Sequence, residues 1–137
     1  MTLTSFIRDD QIQAGIVSYL KTKTTITSLL DSASEIREDQ WQGTEFLYPN
    51  LRVRLMNNRP YQECFHSFDC GIQVFSEEAS SREADQISGI IAGEFHAKGF
   101  TSNSLAFLVS VTNVVPAVRS DIRTWRSEVL LRGVVAN

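Results

Sequence analysis

Few side chains in this 137-residue chain could do chemistry, and those few are scattered. His66 falls in a strand-like stretch and His96 near the end of a helical one. Neither stands at ligand spacing from the other or from Cys64 and Cys70, so no metal centre and no imidazole acid–base pair is expected. His66 reads as a partly buried strand residue and His96 as a solvated one. The two cysteines share one predicted strand. Six residues at about 3.3 Å each would hold them roughly 20 Å apart, far beyond the reach of a disulfide. They read as small apolar fillers of a reduced protein made in a cytoplasm. The acid pairs Asp9-Asp10 and Glu77-Glu78 lie where helices should start, and negative charge there complements the helix dipole. The phosphate-cradling patterns G-x-x-x-x-G-K-[ST] and G-x-G-x-x-G are missing, as is the nucleophile elbow G-x-S-x-G. The expectation is a protein that is not an enzyme, with no cofactor and no metal.

Composition supports a single domain over residues 1–137. A chain of this length buries roughly two-thirds of its unfolded surface and folds without a staple. Hydrophobic residues at 42% and charged residues at 21% exclude wholesale disorder. A net charge of −3 lacks the basic footprint of a nucleic-acid binder. No 18-residue apolar run and no basic-plus-apolar leader occurs, so a soluble protein with no membrane partner is expected.

The periodicity lays out an α+β domain. A first helix starts near Asp9 or Asp10 and faces inward with Ile12, Ile16, Tyr19 and Leu20, and Ile26, Leu29 and Leu30 add a short turn. Residues 32–50 mix charges with Trp41, Phe46 and Tyr48 and show no clean period, as an extended loop or arm would. Leu51, Val53 and Leu55 alternate with Arg52 and Arg54 in a first strand, and Asn57-Asn58-Arg59-Pro60 is turn chemistry. The second strand, 64–75, turns Cys64, His66, Phe68, Cys70, Ile72 and Val74 to one side. Ser80-Ser81-Arg82-Glu83 reads as a capping box opening a helix that ends at Gly99. Residues 105–115 are apolar on both faces, which predicts a strand covered on both sides. Pro116 and residues 118–123 make a long turn, and 124–135 a last alternating strand. The order is helix, two strands, helix, two strands, in one domain.

Two features remain ambiguous at this level. Gly89 and Gly93 lie opposite the helix's core stripe of Ala84, Ile87, Ile91 and Phe95. Each costs about 1 kcal/mol against alanine. They are either a tolerated weakness or a place of close approach by a neighbouring subunit. Trp41, Phe46 and Tyr48 either lid the domain's own core or dock on another chain. The arginines on outer faces, Arg52, Arg54, Arg126 and Arg132, read as solvated surface.

Residues 68–76 (Phe-Asp-Cys-Gly-Ile-Gln-Val-Phe-Ser), followed by Arg82-Glu83-Ala84-Asp85 and an isoleucine-rich helix, resemble the central strand and helix of phage tail terminator proteins. The closing stretch 121–127 (Asp-Ile-Arg-Thr-Trp-Arg-Ser) resembles their last hairpin, and Ile12, Ile16 and Leu20 with Leu29-Leu30 resemble their opening. The resemblance covers about residues 10–135 but does not extend to 32–50. It implies a mostly antiparallel four-stranded sheet with helices packed on one face. It also implies a hexameric ring that caps the tail tube, stops its polymerisation and meets the head-side connector. Such a virion protein sits at the tail–neck junction after assembly in the host cytoplasm. Its partners are copies of itself, the tail tube protein and the connector protein, with no sequence-specific nucleic acid. On that basis ring contacts are expected at Gly89, Gly93 and the 105–111 strand, represented by Leu105, Phe107 and Val109. Axial contacts are expected at Trp41, Phe46, Tyr48, Arg119, Asp121 and Arg123. The alternatives are a head-completion or connector-adaptor protein, or a monomeric domain whose two-faced apolar strand lines a ligand pocket.

Overall fold

The computed structural model describes residues 6–39, 47–62 and 64–137. Helix α1 (Asp9–Lys21) is followed by a single turn α2 (Thr24–Thr27), a 3-10 turn (Ala33–Glu35) and the short strand β1 (Ile36–Glu38). Two long strands, β2 (Asn50–Gln62) and β3 (Phe65–Ser76), precede helix α3 (Arg82–Phe95). Strands β4 (Lys98–Ser102), β5 (Leu105–Arg119) and β6 (Trp125–Ala136) complete the chain. The strands join one sheet in the order β1-β2-β3-β6-β5-β4, antiparallel except for the parallel pair β1 and β2.

The four-stranded, mostly antiparallel sheet expected from the sequence is therefore wrong: the sheet is six-stranded, mixed and curled into a half-barrel. Both additional strands lie where periodicity is silent. β1 is only three residues long and comes out of the stretch read as an arm. β4 arises because the chain leaves α3 earlier than Gly99. Ala97 takes the left-handed conformation (φ 53°), so Lys98–Ser102 is free to pair with β5. The tight turn between them places Asn103 and Ser104 at φ 51° and 66°, which suits the right-handed twist of a hairpin. The expected capping box does not form either. Ser81 makes no side-chain cap, Ser80 Oγ accepts from the Arg82 amide, and the Glu83 carboxylate is taken by the Ser76 hydroxyl at 2.7 Å. β5 runs on through Pro116 to Arg119, the proline being tolerated beside the register shift between Val115 and Val118.

Alternation governs the inner face. His66, Phe68, Cys70, Ile72 and Val74 of β3 are all fully buried, together with Val53, Val129, Leu131 and Val135 from the flanking strands. The α3 stripe Ala84, Ile87, Ile91 and Phe95 packs on them, as do Ile12, Ile16 and Leu20 of α1. The two helices divide this face unequally. α3 lies across β3, β6 and β5, whereas α1 touches β1 and β2 at one edge and β4 at the other. One helix reaching both edges is the direct mark of the curl.

The closure is made by aromatic rings. Phe100 of β4 stacks on Tyr19 of α1 (3.7 Å between centroids) and on Phe107 of β5 (5.0 Å). Phe95 and Phe68 meet this stack edge-on. The Phe107 ring lies so close to α1 that a Cβ on Gly15 would come within 2.5 Å of it. Ser102 Oγ adds a hydrogen bond to the Gly15 carbonyl at 2.8 Å.

Gly15 and the glycines of α3 should thus respond oppositely to the same substitution. Alanine is the better helix former everywhere. At Gly15 it should nevertheless destabilise by about 1–3 kcal/mol, because the Phe107 ring must move. At Gly93, where nothing lies within 4 Å, it should stabilise by about 0.5–1 kcal/mol. Urea unfolding of the two variants reads both signs.

Candidate functional site: two outward faces of opposite charge

Of the histidines and cysteines, Cys70 and His66 are buried in the core, Cys64 is half-buried and His96 is exposed. Burial, helped by the nearby Glu128 charge, pushes the Cys70 thiol up to about 12, so it is no nucleophile. His66 is fully buried, not partly as expected, and its Nδ1 lies 2.7 Å from Asn58 Oδ1. The Asn58 amide nitrogen donates to the Ile7 carbonyl and to Asp9, which makes His66 Nδ1 the donor to Oδ1. With Phe6 edge-on against the ring at 4.5 Å, the histidine fastens the segment before α1 onto the sheet. His96 is exposed, 3.4 Å from Ser110 Oγ. Among the described residues no group of three His, Cys, Asp or Glu side chains could hold a metal ion. No helix among them is long and apolar enough to cross a membrane.

The polar chemistry instead lies on the outer face of the sheet. β3 presents Ser67, Asp69, Gly71, Gln73 and Phe75 there, flanked by Arg52, Arg54 and Arg59 of β2 and by Arg126, Glu128 and Arg132 of β6. Arg54 clamps Glu128 with two hydrogen bonds, at 2.8 and 3.1 Å. This pair crosses directly over Gly71, where a Cβ would strike the Glu128 carboxylate. Arg52 lies over the Phe75 ring at 4.0 Å. Asp69 accepts from Asn57, Arg59 and Arg132 at 2.7, 2.9 and 3.0 Å. Arginines outnumber carboxylates on this face, so it is basic although the chain is acidic. Where the face reaches the β2–β3 hairpin, a groove of about 710 Å³ opens between Arg59, Tyr61, Leu108, Arg132 and Val134. Tyr61 and Leu108 are 69% and 58% exposed.

The helix layer has the opposite character. Glu83, Asp85 and Glu94 lie on α3, and Glu77 and Glu78 just before it, with Arg82 as the one basic residue of the helix. A second groove of about 500 Å³ runs between Leu29, Glu83, Asp85, Gln86, Gly89 and Ile90. Leu29 and Ile90 leave apolar surface open within it.

The expected contact residues are thus redistributed. Gly89 and Gly93 are exposed, with nothing within 4 Å of where a Cβ would stand. Leu105, Phe107 and Val109 are a correction. Each is under 5% exposed and points into the chain's own core. The strand is not covered on both sides, and the outward residues of this stretch are Ala106, Leu108 and Ser110. Trp41 and Phe46 lie outside the described residues. Tyr48 precedes the cis peptide at Pro49 and borders a small hollow beside Glu77, Glu78 and Glu83. Arg119, Asp121 and Arg123 share the turn between β5 and β6. There Asp121 accepts from the Arg123 and Thr124 amides and Arg119 lies over the Trp125 ring. Sheet register brings this turn and the Tyr48 segment to one end of the molecule. Arg119 pairs with Trp125, Trp125 with Ser76, and the neighbouring Phe75 with Asn50. Arg52, Arg54, Arg126 and Arg132, expected as solvated surface, line up on the one outer face of the sheet, with Arg54 paired to Glu128 and Arg132 to Asp69.

No family model matches the chain, and no curated protein sequence matches it. Solved structures do. A chain from the virion of a native gene transfer agent (GTA) particle superposes with a TM-score of 0.68, covering 92% of this chain and 95% of its own at 14% identity. A second solved chain, of a protein without a descriptive name, gives a TM-score of 0.60 over 95% of this chain and 96% of its own, at 15% identity. At these identities the likeness is one of fold, and it spans nearly the whole of all three chains.

The cluster on Asp69 sets a pH dependence. Partial burial raises its carboxyl, but the hydrogen bonds from Arg59, Asn57 and Arg132 outweigh this and hold it at about 2. A folded-state value below the unfolded 3.8 gives stability that is complete above that value and lost as pH falls towards 2. With solvent screening of the half-exposed arginines the loss should be about 1–2 kcal/mol. Asp69→Asn should be less stable at neutral pH and should flatten that part of the urea-unfolding profile between pH 4 and 2.

Proposed function

We propose that this chain is a structural protein of a phage-like virion, whose copies form a ring capping the tail tube. The ring ends tube polymerisation and gives the head-side connector a surface to join. The observation that carries this reading is the fold likeness, end to end, to a chain of the gene transfer agent virion. The strand, helix and hairpin patterns at 68–76, 82–85 and 121–127, which resemble those of tail terminators, supply the finer assignment. The work required is contact between surfaces, not bond making, so the role is non-enzymatic. Its place is the tail–neck junction, reached after assembly in the host cytoplasm. Its partners are further copies of the chain, most simply six around the axis, the tail tube protein and the head-side connector.

The positions of the exposed residues support one division of these contacts. The end that carries Tyr48, Arg119, Asp121 and Arg123 offers an exposed axial surface to a tube ring. The two lateral faces, sheet and helix layer, are left for neighbours around the axis.

The test is negative-stain imaging of the purified protein mixed separately with tail tubes and with portal-bearing heads. A ring at one end of the tubes, with heads left bare, is the expected result. Binding to heads alone would instead mark a head-completion or connector-adaptor protein. A stable monomer that ignores both but holds a small ligand would make the protein a binding domain.

A further inference from the structure

The basic groove on the sheet and the acidic groove on the helix layer lie on opposite faces of the same subunit and are alike in construction. Each sets exposed apolar side chains, Leu108 and Tyr61 in one, Leu29 and Ile90 in the other, among charges of a single predominant sign. We propose that the two faces are partners: the sheet groove of one copy receives the outer surface of α3 from the next copy. Arg132 and Arg59 would then face Asp85 and Glu83, and Leu108 would pack beside Gly89. The occupant is a second copy of this chain because charge complementarity between the faces is built into one sequence. This inference deepens the ring reading above by naming the surfaces that would make it.

Several otherwise unexplained features fall into place. Gly89 weakens α3, and no other part of the chain lies within 4 Å of where its Cβ would stand. Against a neighbour, the missing side chain lets another surface come close to the helix backbone. Leu108 interrupts the outer face with a large apolar group that the subunit leaves uncovered. Desolvated aliphatic anchors framed by charged rims are how interfaces gain both contact energy and register. Because the two patches differ and sit on opposite faces, the contact is head-to-tail, and it closes into a ring if the rotation between neighbours permits.

Charge reversal tests this on the full chain, alone and with tail tubes, by sedimentation velocity. Arg132→Glu and Asp85→Lys should each weaken self-association about tenfold or more, roughly the loss of one well-placed charge pair. The double variant should recover it. Asp85 also accepts the Ala117 amide at 2.9 Å and Arg132 also holds Asp69 at 3.0 Å, so Gly89→Trp supplies a second block on the helix layer, and Leu108→Glu a second on the sheet. Both alter exposed positions and should leave thermal unfolding close to the parent's while abolishing association. Association unchanged in all four single variants would overturn the proposal while leaving a ring built through other surfaces. A parent chain that never associates, alone or on tubes, would overturn it as well. Association through these faces by a protein that ignores tubes and heads would support the pairing and instead remove the proposed function.

Discussion

The fold depends on a ring packed against bare backbone. Phe107 can lie against α1 only because Gly15 presents no side chain there, and that contact lets the β4–β5 edge of the sheet swing round to the helix that β1 and β2 already hold. Tyr19, Phe95, Phe100 and Phe68 complete the joint through stacked and edge-on contacts. Offset and perpendicular ring pairs contribute roughly 0.5–1.5 kcal/mol each beyond the area they bury. Here they also set shape, since a flatter sheet would leave α1 packed along one edge only.

A sheet that wraps its apolar residues around two helices turns its other face entirely outward. In this chain that face is governed by ion pairs. The Arg54–Glu128 clamp crosses over Gly71, and Asp69 ties Arg59 of β2 to Arg132 of β6 across the intervening strand. These cross-strand pairs leave an excess of positive charge on the sheet, while Glu77, Glu78, Glu83, Asp85 and Glu94 make α3 and the segment before it acidic. The asymmetry gives the molecule a front and a back, and chemically distinct opposite faces suit heterologous assembly. A two-fold dimer would instead need one self-complementary patch.

What the sequence disclosed follows from one-sided burial. His66 to Val74 and the Ala84–Phe95 stripe were legible because every second or every third-to-fourth residue enters one core, and that rule leaves a period in the sequence. Elements too short for a period stayed hidden. β1 has three residues, and β4 depends on Ala97 adopting a backbone conformation that glycine, two positions later, had been expected to supply. The capping box failed because Ser76, at the end of β3, competes for the Glu83 carboxylate, a contact that local sequence does not encode. Leu105, Phe107 and Val109 were expected at ring contacts from the resemblance, on a strand whose two sides are both apolar. Apolar type alone does not tell a core residue from an uncovered surface one such as Leu108. The glycines of α3 were legible as an anomaly, whereas the basic face that would answer them needed the sheet register before its arginines lined up.

A reconstruction of assembled virions at side-chain resolution tests the central claim most directly. The account predicts copies of this chain related by rotation about the tail axis at the head-proximal end of the tube, each with its sheet face against the helix layer of its neighbour. Density for the chain as isolated subunits away from that junction, or its absence from the particle, would contradict it.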